Sequence, residues 1–67
     1  MLKIEVEQED DGRWVAEIAA LPGALAYGET RSEAQNKVEV LALRVIADRI
    51  EHGEPIPCET SSLFIAA

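Results

Sequence analysis

Residues 31–52 contain neither proline nor glycine, and the punctuation on both sides marks them as one helix. At the N-terminus, Thr30 and Glu33 have the spacing of a capping box, in which each side chain satisfies a backbone amide of the other. At the C-terminus, Gly53 suits the position just past the last turn, and Pro55 and Pro57 prevent continuation. Glu33 and Lys37 stand at the favourable i, i+4 spacing. Arg49 and His52 fall in the last turn, where positive charge complements the helix dipole. Laid out at about 100° per residue, one apolar arc holds Ala34, Val38, Leu41, Ala42, Val45 and Ile46. A second arc holds Val40, Leu43, Ala47 and Ile50, interrupted by Asn36. Glu33, Lys37, Arg44, Asp48 and Glu51 form the polar sector. A helix on the outside of a sheet needs one apolar stripe. Two stripes leave two readings: the second arc is an oligomer interface, or the C-terminal segment folds over it.

The N-terminal part has a different period. Residues 2–8 alternate strictly, with Leu2, Ile4 and Val6 toward a core and Lys3, Glu5 and Glu7 away from it, the pattern of a half-buried strand. Glu9-Asp10-Asp11-Gly12 reads as a turn. Residues 13–19 resume the alternation, Trp14, Ala16 and Ile18 on one face and Arg13, Val15 and Glu17 on the other, so the first two strands form a hairpin. Leu21-Pro22-Gly23 breaks the second strand. Residues 24–28 make a short third strand ending at Gly28. After the helix, residues 54–60 read as an extended linker and residues 62–66 as a last strand. The predicted fold is a single α+β domain over residues 1–67: a three-stranded antiparallel sheet with one helix packed on it, in the order β-β-β-α-β.

With 67 residues, such a domain buries a small core, and chains of this size often rely on disulfides, a metal or oligomerisation. Cys58 is the only cysteine and His52 the only histidine, which leaves self-association to a dimer or tetramer as the expected support. The net charge of −7 repels phosphate backbones and disfavours direct nucleic-acid binding. It favours a basic protein partner, or serves only solubility. No apolar run approaches the ~18 residues that span a bilayer, and the N-terminus opens directly into a strand rather than a leader. A cytoplasmic location follows as the simplest expectation.

Catalytic constellations are sparse. His52 sits at a helix end, where histidines usually cap or complement the dipole. Cys58 has no cationic neighbour in sequence to lower its pKa. Glu5 and Glu7 share a strand face and could hold a divalent ion, although outward alternation explains them without one. Gly23 and Gly28 are too sparse for a phosphate loop. Trp14 reads as core, and Tyr27 as core or as an exposed contact residue. These residues predict a protein that is not an enzyme and that uses no cofactor and no metal.

The ordered set Leu21-Pro22-Gly23, Gly28-Glu29-Thr30, Glu33-Ala34 and Gly53-Glu54-Pro55-Ile56-Pro57 resembles the HicB-like antitoxin family over roughly residues 1–57. The resemblance implies a truncated ribonuclease H-like fold without that enzyme's catalytic carboxylates. It also implies a partner, a small basic mRNA-cleaving toxin of the HicA type, whose active histidine or RNA-binding face such antitoxins block. Opposite charge would steer that encounter. The sequence departs from the family in two places. It ends at Ala67 without room for the C-terminal DNA-binding domain of many members, so operator binding is not expected. Cys58-Glu59-Thr60 also replaces the Pro-Ser that often follows the linker motif.

The expected function is therefore the antitoxin of a type II toxin-antitoxin pair. The alternative is an orphan homo-oligomeric interaction module of the same fold, and a third reading is a residual metal-dependent nuclease built on Glu5 and Glu7. From strand direction, Glu5, Glu7, Glu17 and Tyr27 are the expected partner-binding residues. Val40, Leu43, Ala47 and Ile50 are the expected self-association residues.

Overall fold

Alternating apolar and polar residues build three short antiparallel strands, and the uninterrupted stretch after them builds the helix. A computed structural model describes residues 2–58 and Thr60. The strands are β1 (Glu5–Gln8), β2 (Trp14–Glu17) and β3 (Leu25–Gly28), and the helix is α1 (Arg31–Glu51). The sheet order is β1-β2-β3, both pairs antiparallel. Val6, Ala16 and Ala26 form one row across the sheet, and Gln8, Trp14 and Gly28 another, on the face toward α1. The strands are shorter than the alternation that announces them. Leu2 and Ile4 precede the paired segment of β1 yet still pack against the core.

The β1–β2 turn is closed by Glu9 N–H donating to the Arg13 carbonyl (2.7 Å) and Gly12 N–H donating to the Glu9 carbonyl (3.0 Å). The β2–β3 connection is tied three times. Ile18 N–H donates to the Ala24 carbonyl (3.0 Å), Leu21 N–H to the Ile18 carbonyl (3.0 Å) and Ala24 N–H to the Leu21 carbonyl (2.9 Å). Pro22 and Gly23 are the central residues of that last turn. Gly23 has φ 92°, the positive value a type II turn demands at its third position.

Helix α1 starts as its cap spacing predicts. Thr30 is extended, and its hydroxyl accepts from Glu33 N–H at 3.1 Å. The reciprocal half of a capping box is replaced: the Glu33 carboxylate pairs with Lys37 at 3.0 Å, where it meets a full opposite charge. The helix ends one residue earlier than the sequence suggests, with His52 as C-cap. Gly53 N–H donates to the Ile50 carbonyl (3.2 Å) and Glu54 N–H to the Arg49 carbonyl (2.8 Å). These two bonds are a Schellman motif. Its left-handed residue is Gly53, at φ 68°.

The core lies between the sheet and one side of α1. Ala34, Val38, Ala42 and Ile46 of the helix are buried with Ala16, Ile18, Leu21 and Ala24, while Leu2, Ile4, Val6, Trp14, Ala20, Ala26 and Val45 pack at its edge. Four of the eight buried core residues are alanines, so helix and sheet approach closely. The tightest approach is at Gly28. A Cβ there would lie 2.5 Å from the Ala34 backbone nitrogen.

Beyond the helix, the extended linker expected over residues 54–60 turns back at Pro57. The Pro57 carbonyl accepts from both the backbone N–H (3.0 Å) and the hydroxyl (2.6 Å) of the buried Thr60. Closing that turn leaves no unpaired polar atom on the Thr60 side chain, which is what its burial requires. The strand expected over residues 62–66 lies outside the described residues, as does Glu59.

Candidate functional site

Among the described residues, the helix covers one face of the sheet and no element covers the other. Across that open face run two rows: Glu5 opposite Glu17 opposite Leu25, and Glu7 opposite Val15 opposite Tyr27. Together with Glu9 they line a shallow groove of about 250 Å³. The four residues expected to meet a partner, Glu5, Glu7, Glu17 and Tyr27, are thus brought together on one surface. Leu25 and Tyr27 are both exposed.

Two properties of this surface bear on function. First, Glu5 and Glu17 are direct cross-strand partners, an arrangement that costs stability because like charges face each other. Among the described residues, no lysine, arginine or histidine nitrogen forms an ion pair with Glu5, Glu7 or Glu17. Second, a cation beside the groove, Arg13, is already held. The Arg13 guanidinium stands 4.9 Å from the centre of the Tyr27 ring, within cation–π range, and its Nε donates to the Asp11 carboxylate at 2.9 Å. The Arg13 backbone N–H also donates to Asp11 at 3.0 Å. That amide first, and the guanidinium with it, hold the Asp11 carboxyl below its ordinary range. On the helix, the hydrogen bond and charge of Lys37 do the same for Glu33. The groove therefore combines a negative rim, an apolar floor and an aromatic ring that already binds a guanidinium.

The four residues expected at a self-association surface lie on the opposite side of the molecule. Val40, Leu43 and Ile50 are 49%, 59% and 52% exposed, and Ala47 is exposed with them. The segment that would have to cover them within one chain lies outside the described residues.

The residues that carry the family resemblance do not converge on either surface. Leu21, Pro22 and Gly23 form the β2–β3 bend, with Leu21 wholly buried. Gly28, Thr30, Glu33 and Ala34 join β3 to the helix, and Pro57 anchors the turn to Thr60. Each of these eight positions has an architectural reason for its residue.

Among the described residues, one group of three side chains is close enough to share an ion: Asp48, Glu51 and His52, with ligand atoms within 4.8 Å of one another. All three are exposed. His52 Nδ1 lies 2.7 Å from the Asp48 carbonyl oxygen, which can only accept, so the ring serves as a helix-end cap. The i, i+3, i+4 spacing of this trio is visible in the sequence. The contribution of Val15 and Leu25 to the groove is also implicit there, since both fall on the outward phase of their strands.

No helix among the described residues is long and apolar enough to cross a membrane. The chain matches no family model, no curated protein and no solved structure.

Proposed function

We propose that this chain is a non-catalytic binding module that presents the open face of its sheet to a small basic protein. Within that reading it is an antitoxin of HicB type, and its partner is a HicA-type mRNA-cleaving toxin. The observation that carries the reading is the groove on the open sheet face. Its carboxylates Glu5, Glu7 and Glu17 have no cationic partner among the described residues and surround half-buried Val15 and exposed Leu25 and Tyr27. A basic surface laid on it would relieve the Glu5–Glu17 repulsion and cover apolar area at the same time. Opposed potentials would also speed the encounter and fix its register. A ribonuclease toxin must keep a positive surface to hold RNA, and an acidic face seated on that surface competes with the phosphates.

The β-β-β-α order is consistent with a truncated ribonuclease H-like arrangement, which forms part of the same proposal. So does a cytoplasmic location, where such a toxin would act.

The test is growth. The adjacent reading frame should encode a small basic protein whose expression arrests cells, and co-expression of this chain should release them. Arrest that persists despite stable co-expression would contradict the antitoxin reading. The orphan interaction module would then stand, a reading that the exposed helix stripe Val40, Leu43 and Ile50 independently favours.

A further inference from the structure

The open sheet face already holds a cationic group, and it is the chain's own. The Arg13 guanidinium stands 4.9 Å from the centre of the Tyr27 ring. Arg13 lies two residues before Val15, the direct cross-strand partner of Tyr27, so its side chain leaves the sheet on the same face. The tether that keeps it there is light. Arg13 is paired with Asp11 at 2.9 Å, and the two side chains are 54% and 56% exposed. An ion pair so open to water contributes little. Tyr27 itself is 42% exposed.

This geometry distinguishes two kinds of basic side chain. A guanidinium is planar and weakly hydrated, so it lies flat on an aromatic ring while its N–H groups donate to carboxylates. An ammonium is a compact, strongly hydrated point charge and gains less from the ring. The groove offers both halves of a guanidinium site. One is the Tyr27 ring. The other is the set of carboxylates that line the groove with it, Glu7 and Glu17 among them. Neither forms an ion pair with a lysine, arginine or histidine nitrogen of the described residues. Arg13 uses the ring but takes its carboxylate from Asp11, which is not part of the groove lining. An arginine arriving from outside would meet the ring and the groove's own carboxylates together.

We infer that the open sheet face takes an arginine side chain of its partner onto Tyr27, and that Arg13 is the internal stand-in which this arginine displaces. The inference rests on the proposed use of this face for a basic protein, and it adds which basic residue the face selects. Arg13 then acts as a brake, because every incoming arginine has to compete with it for the ring.

The experiment is titration of the full chain at low salt with two labelled peptides, hexa-arginine and hexa-lysine, followed by fluorescence anisotropy. Hexa-arginine should bind the wild type roughly two- to fivefold more tightly than hexa-lysine, the size of an exposed cation–π contact. Tyr27→Leu should erase that preference. The Asp11→Asn, Arg13→Gln double variant clears the ring without changing the net charge. It should bind hexa-arginine roughly two- to fivefold more tightly than the wild type does, and hexa-lysine should gain less. Adding Tyr27→Leu to it should abolish the gain, which ties positions 13 and 27 to one contact. A double variant no tighter than the wild type, or an arginine preference that survives Tyr27→Leu, would overturn the inference. In that case, weaker binding of both peptides by the Glu5→Gln, Glu17→Gln variant would leave the acidic face standing as the binding surface. A wild type that binds neither peptide would overturn both readings.

Discussion

Leu21, Pro22 and Gly23 divide one bend among three side-chain properties. Leu21 fills the core, Pro22 presets φ, and Gly23 takes the positive φ that a side chain resists. Gly28 is constrained differently. Its backbone is unremarkable, but the first turn of the helix rests on it, and a methyl group would meet the Ala34 nitrogen at 2.5 Å. Gly28→Ala should therefore cost about 1–3 kcal/mol, as overpacking in a tight core does. Chemical denaturation is the check, and an unchanged midpoint would mean that β3 and α1 separate with little resistance. The sequence marks Gly28 only as the end of a strand. Its role as a spacer depends on the approach of a helix that begins three residues later.

At the scale of elements, the sheet sets two demands against each other. Opposing Glu5 to Glu17 weakens the β1–β2 pairing, while the same carboxylates make the open face attractive to cations. Glu17→Gln should accordingly stabilise the isolated protein by a few tenths of a kcal/mol, on the order of a like-charge cross-strand pair. Thermal melts at low salt would show this as a raised midpoint, and a lowered one would refute it. The alternation made this face readable in advance: residues 2–8 and 13–19 announce which side chains point outward, and the capping threonine with Gly53 fixes the helix ends to within a residue. The row-by-row partners were not readable, because a register depends on how many residues each turn consumes. Nor was the turn at Pro57, which is set by the Thr60 hydroxyl returning to a nearby carbonyl rather than by any periodic pattern. Half of the capping box also failed to form, because Lys37 offers Glu33 a stronger partner than a backbone amide.

For the molecule as a whole, one helix on one face of a three-stranded sheet leaves two dissimilar outer surfaces on opposite sides. The sheet side is acidic with an apolar floor, and the helix side carries an apolar seam. A thin, alanine-rich core suits such a design, since much of the apolar material is held at the surface. The most direct measurement is capture by the full chain from cells that naturally make it, comparing wild type with the Glu5→Gln, Glu17→Gln double variant at low and high salt. At low salt, the wild type should retain a small basic protein in stoichiometric amount. High salt should release it, and the double variant should retain far less. Equal retention by both chains, or retention of nothing basic, would contradict a role for the open sheet face in binding.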